Sequence, residues 1–220
     1  MKFSTLFSLF LLCVFTSYLP SANADLVDTD GNPLRNGGKY FIRPVIITGN
    51  GGGVQFAATG NETCPLSVIQ LPSPFSNGLP VQISSPIKFL FIKENFNLDI
   101  GFTFVPPCAP TPSKWTVVRG EGDRHPVKLN GYDNTVAGWF KIKSVPVEIG
   151  GYNLLFCPEN GYCGYVGVDI DSSRNRVLVV AQDENAAMWI QFQRVYGSSE
   201  TAITQATAWT TNAPKKSCDV

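Results

Sequence analysis

The sequence predicts an all-β fold, an antiparallel sandwich or barrel, on three observations. Glycine (20) and proline (16) punctuate the 220 residues every few positions. No long stretch keeps a 3.6-residue apolar period, which argues against helices. Short apolar or alternating runs recur instead, bounded by turn chemistry. In chain order, the runs at 39–45, 67–71, 88–93, 114–118, 139–145, 152–157, 166–170, 176–181 and 188–195 read as strands, because β-branched and aromatic residues concentrate there. Trp115, Trp139 and Trp189 fall in such runs and are candidate core aromatics. Periodicity alone does not separate sandwich from barrel.

The first 24 residues read as a secretory leader. Lys2 opens it, an apolar stretch over 6–19 follows, and Ala22-Asn23-Ala24 is a small-x-small cleavage site. The apolar run is short and broken by Ser and Thr, so a removed leader fits better than a membrane anchor. A mature chain from Asp25 is expected to be secreted, to the extracellular space or a vacuole. It carries 16 basic residues against 17 acidic ones. That balance gives neither a basic field for nucleic acid nor a polybasic patch for anionic lipid. Residues 25–198 are the size of one domain, and 199–220, rich in Thr, Ala and Ser, reads as a flexible tail.

Cys13 leaves with the leader, and Cys64, Cys108, Cys157, Cys163 and Cys218 remain. An oxidising route favours pairing. Zinc would need short-spaced ligand pairs, which are missing, and the sequence holds one histidine, His125. Neither a metal nor a cofactor is expected. Arg124-His125-Pro126-Val127 reads as a loop, no Gly-x-Ser-x-Gly motif occurs, and a surface histidine is a simpler reading than a catalytic one. The glycines in 49–53 make a flexible turn, since no Lys-Ser/Thr and no helix follow them. The chain does not read as an enzyme. Asn61-Glu62-Thr63 is an acceptor for N-glycosylation.

The stretch Leu26-Val27-Asp28-Thr29-Asp30-Gly31-Asn32-Pro33-Leu34, with Tyr40-Phe41-Ile42 after five residues, is turn chemistry followed by a strand. Its order of apolar, acidic, Gly and Tyr positions resembles the signature of the plant Kunitz (soybean trypsin inhibitor) family. The resemblance covers about 26–196 and implies a β-trefoil of twelve short strands in three similar units. It implies two disulfides, Cys64–Cys108 and Cys157–Cys163, and leaves Cys218 as a free thiol, a glutathione adduct or a link from an otherwise monomeric protein to another chain. By loop entropy the long bridge contributes about 4 kcal/mol and the short one about 2 kcal/mol.

The resemblance also implies an exposed loop that enters a serine protease. Its frame is set by 78–86 upstream and by Phe91 and Ile92 downstream, so the loop comprises Ser84, Ser85, Pro86, Ile87, Lys88, Phe89 and Leu90. Lys88 falls on the primary specificity position and Phe89 just across the scissile bond, where the family commonly has a smaller aliphatic residue. Asn36 matches the supporting asparagine, whose amide hydrogen-bonds loop carbonyls. A lysine neutralises the buried aspartate of a trypsin-like pocket. The expected function is therefore inhibition of a trypsin-like serine protease. The alternatives are a storage or binding trefoil, or inhibition of a chymotrypsin-like, carboxypeptidase or cysteine protease, because one fold hosts many functions.

Overall fold

A computed structural model of the chain describes residues 25–45, 51–146 and 150–196. The leader, the tail and Cys218 lie outside the described residues. Thirteen strands and one 3-10 turn, Glu184–Ala186, occur among them. They divide into three successive units. The first holds β1 (Gly38–Pro44), β2 (Val54–Ala57), β3 (Ser67–Gln70) and β4 (Val81–Ser84). The second holds β5 (Asp99–Phe102), β6 (Trp115–Val118), β7 (His125–Leu129), β8 (Thr135–Val136) and β9 (Gly138–Ser144). The third holds β10 (Tyr152–Pro158), β11 (Gly164–Ile170), β12 (Arg176–Ala181) and β13 (Trp189–Arg194). Only Ala137 separates β8 from β9, at the point where the chain exchanges β6 for β10 as its partner. Counted as one bent strand, they restore four strands per unit and the expected twelve.

The first and last strands of each unit close into a barrel. β1 pairs with β13 and β4, β4 with β5, and β10 with both β9 and β13. The ring is completed by a bridge between Leu98 and Phe140, just before β5 and inside β9. The middle strands form three hairpins, β2–β3, β6–β7 and β11–β12. Their returning strands β3, β7 and β12 all pair with one another. Such a triangle needs three equivalent units around one axis. The fold is a β-trefoil.

Each barrel strand faces the core with two alternate residues, as a half-buried strand must. These are Tyr40 and Ile42, Val81 and Ile83, Ile100 and Phe102, Phe140 and Ile142, Leu154 and Phe156, and Ile190 and Phe192, all buried. A chain of ring contacts, Phe56–Phe102–Trp115–Phe140–Phe156, at centroid separations of 5.4, 5.5, 6.0 and 5.2 Å, links hairpins to barrel. Edge-to-face and tilted pairs of this kind add to burial itself.

Trp115 is in the core, but Trp139 and Trp189 are half-exposed. Both precede an inward residue, Phe140 and Ile190, so the two-residue period turns them outward. The run 88–93 is not a strand: only Phe91 bridges, to Arg35, and the rest is loop. His125 opens β7 opposite Val180 rather than sitting in a loop, and its Nδ1 accepts the Gly120 N–H at 3.2 Å. Gly51–Gly53 is buried and closely packed instead of flexible; a Cβ on Gly53 would lie 1.9 Å from the Asn77 carbonyl oxygen.

Candidate functional site

The signature stretch at 26–34 seals one end of the barrel. Leu26 and Leu34 are fully buried, and Val27 bridges Pro33. Asp28, also buried, accepts the N–H groups of Asp30 and Asn32 at 3.1 and 2.9 Å and pairs with Arg194 at 2.8 Å. Gly31 supplies the positive φ (77°) that this turn requires. The chain then passes through Arg35 and Asn36 into β1. Because β4 runs antiparallel to β1, with Gly38 opposite Ile83, the connection from β4 to β5 emerges beside Asn36.

That connection carries 84–90. Lys88 is exposed at its apex, flanked by Ile87, Phe89 and Leu90, which keep 48%, 56% and 68% of their surface in solvent. Three exposed apolar side chains around one cation are costly to leave in water and suit a surface awaiting a partner. Pro86 fixes its own φ and disfavours the helical region for Ser85.

Asn36 fastens both halves of the loop. Its side-chain Nδ2 donates to the carbonyl oxygens of Ser85 (3.3 Å) and Ile87 (3.0 Å), and its Oδ1 accepts the Ser85 N–H at 2.8 Å. Its backbone N–H donates to the Leu90 carbonyl at 3.0 Å, on the far side of Lys88. The Ile87 carbonyl also accepts the Phe89 N–H at 2.8 Å, a bond that spans the Lys88–Phe89 peptide. Downstream, the Ile92 N–H donates to the Leu34 carbonyl at 2.8 Å, and the Ile92 side chain is buried. The Phe89 ring rests on Phe96, with centroids 5.5 Å apart.

The sequence-predicted loop and Asn36 thus come together as one unit, although 49 positions separate Asn36 from Ser85. Phe96 and the backbone of Leu34 were not singled out from sequence. An aromatic at position 89, where the family favours a smaller side chain, was the available hint that a ring partner lies nearby. Both expected disulfides form: Cys64–Cys108 ties the β2–β3 connection to the β5–β6 connection, and Cys157–Cys163 closes the turn between β10 and β11. Asn61 is exposed, in the β2–β3 connection. Among the described residues no group of three His, Cys, Asp or Glu is placed to hold a metal ion.

The legume Kunitz family model, described as trypsin and protease inhibitor, matches residues 26–194. The chain belongs to the plant Kunitz family. A Kunitz-type trypsin inhibitor of Glycine max is 42% identical over 207 residues, spanning 90% of this chain and all of the relative. The crystal structure of the Kunitz soybean trypsin inhibitor superposes with a TM-score of 0.72 at 36% identity, covering 79% of this chain and 100% of that one. A soybean trypsin inhibitor in complex with porcine pancreatic trypsin gives a TM-score of 0.70 at 34% identity, over 79% and 100% of the two chains.

Proposed function

We propose that this Kunitz protein inhibits trypsin-like serine proteases competitively, with Lys88 entering the primary specificity pocket. The observation that carries the reading is Lys88 at the apex of a loop whose two halves are both held by Asn36. Family membership and the trypsin-bound soybean relative support it. The chain is an inhibitor, not an enzyme. A lysine ammonium desolvated against a pocket aspartate sits at the centre of the interface, where an unpaired charge costs several kcal/mol. A loop already in its docking shape loses little entropy on association, so an interface of ordinary size suffices for tight binding.

The same fastening explains why the protein is not consumed. After attack on the Lys88–Phe89 bond, Ile87 and Leu90 remain on Asn36, so the new amine stays close to the acyl carbon. Proximity of that kind is worth a large effective concentration and favours closing the bond again over release. The reading includes secretion after loss of residues 1–24 and a glycan on the exposed Asn61. Titrating trypsin with the purified protein tests it: stoichiometric loss of activity at nanomolar to micromolar concentration is expected, and full activity retained throughout would overturn it.

A further inference from the structure

The bonds through Asn36 grip the residues around Lys88 and Phe89 but leave the Phe89 side chain to be held by something else. That something is Phe96. Its ring is half-buried against the hydrophobic core and faces Phe89 at 5.5 Å, with planes 34° apart. Phe96 is itself fixed by a tight turn: its N–H donates to the Lys93 carbonyl, and Asn95, with a positive φ of 62°, donates its N–H to the Ile142 carbonyl in β9. Glu94 in the same turn accepts the Ser144 N–H. The turn at 93–96 is therefore part of the barrel wall, and its aromatic reaches out to the loop.

We infer that Phe96 is a positioning residue for the inhibitory reaction: it clamps the Phe89 side chain so that the amine released by cleavage of the Lys88–Phe89 bond remains in line for resynthesis. The inference rests on Lys88 being the residue inserted in the protease. When the protease serine attacks, the Lys88 carbonyl carbon forms an ester to its oxygen, and the Phe89 nitrogen leaves as a free amine after taking up a proton. Resynthesis reverses this: the amine attacks the ester carbon, the peptide bond reforms, and the proton returns to the serine oxygen. Phe89 is then the first residue of a new chain end. An unclamped end swings away and admits water to the ester; a ring held on a rigid neighbour keeps the nitrogen within reach. A large aromatic after the scissile bond, which resembles a departure from the family pattern, becomes a working part once Phe96 is beside it.

The test uses the purified mature protein and a catalytic amount of trypsin. The ratio of protein clipped at Lys88–Phe89 to intact protein is measured by mass, approached from intact and from clipped material. This equilibrium ratio belongs to the inhibitor alone, so contacts between Phe89 and the protease cancel from it. Phe96→Ala should raise the ratio roughly three- to tenfold, the scale of one aromatic pair, and slow resynthesis from the clipped form by a similar factor. Phe96→Tyr, which keeps the ring, should restore both. Phe89→Ala should reproduce the rise, and the double variant should exceed neither single variant, whereas a purely structural role for Phe96 would leave its effect undiminished without Phe89. An unchanged ratio in Phe96→Ala, or in Phe89→Ala should Phe96→Ala fail to fold, overturns the clamp while trypsin binding by the parent protein stands. Failure of the parent to bind trypsin overturns the function proposed above and the clamp with it.

Discussion

Two loops of this protein push large side chains into solvent by different means. The turn between β10 and β11 is closed covalently by Cys157 and Cys163 and presents Tyr162, 89% exposed, beside Gly161 at a φ of 135°. The loop at 84–90 has no covalent closure, yet its carbonyls at 85, 87 and 90 are all engaged by Asn36. Among the described residues no hydrogen bond is made by Tyr162 or its two neighbours along the turn. A disulfide limits how far two positions separate, but it does not fix the peptide groups between them. Asn36 does. On the proposed function, the difference teaches that exposure and closure are insufficient for a bait; both sides of one particular bond must be held at the orientation a protease reads.

Moving the charge is the severest way to break this comparison. Lys88→Ala should raise the inhibition constant against trypsin by two or more orders of magnitude, since it deletes the desolvated pair at the interface centre. Adding Tyr162→Lys to that variant should recover none of the loss, because the second cation sits on an unbraced turn. Recovery, read as the inhibition constant in the same titration, would show that a closed loop with a lysine is enough.

A smaller effect comes from removing the brace while keeping the bait. Asn36→Ala deletes three side-chain bonds and leaves the backbone bond to Leu90. Initial binding should weaken by about tenfold to a hundredfold, on the scale of one to three kcal/mol for polar contacts of this kind. The larger change should be temporal: the variant is cut and released, so inhibition fades on prolonged incubation with trypsin. Chromatography of the incubated mixture would follow it, and durable inhibition by the variant would assign the bracing to the remaining backbone bonds.

The smallest effect on inhibition belongs to a polar cluster beneath the hairpins. Glu62, mostly buried, accepts from Lys128 at 2.6 Å, Ser67 at 2.8 Å, the Thr59 N–H at 2.9 Å, and Tyr132. Burial alone would raise the carboxyl pKa, but these four partners outweigh it and hold it below the ordinary carboxylate range. A carboxyl whose folded value is depressed contributes stability that is fully present above its unfolded value. That contribution disappears as the pH falls through the folded one. Glu62→Gln should therefore lower stability by about 2 kcal/mol at neutral pH. The gap from the parent should narrow below about pH 4, and trypsin inhibition at neutral pH should not change. Thermal melts across that range would check it; a constant gap would mean that Glu62 acts through shape and not through charge.

Much of the fold was legible because alternation shows in the long barrel strands: Lys141 and Lys143 flank the buried Ile142, and Gln191 and Gln193 flank the buried Phe192. The threefold repeat was not. Equivalent inward positions are filled by Tyr and Ile in β1, Ile and Phe in β5, and Leu and Phe in β10, so volume is conserved around the axis while identity is not. β2, β4 and β5 span four residues each, too few for a period to declare itself, and Pro126 disguises β7 because proline seldom sits within a paired strand. The run at 88–93 misleads for the opposite reason: Phe89 and Leu90 stay exposed in an irregular loop, and of its residues Ile92 alone is buried in the core. At the site, the cation was readable in its frame through the family resemblance. The contact of Phe89 with Phe96 was not, since an aromatic seven positions away in an irregular segment carries no pattern.

The ion pair between Asp28 and Arg194, with Tyr152 bonding the backbone of Val27, sews the beginning of the domain to its last strand. During translation the segment bearing Asn36 emerges early, but the strand against which β1 must lie arrives some 150 residues later. A nascent chain on the ribosome therefore displays Lys88 before β13 has arrived to hold β1 in place. On the proposed function, a chain still lacking β13 is expected to be an ordinary protease substrate.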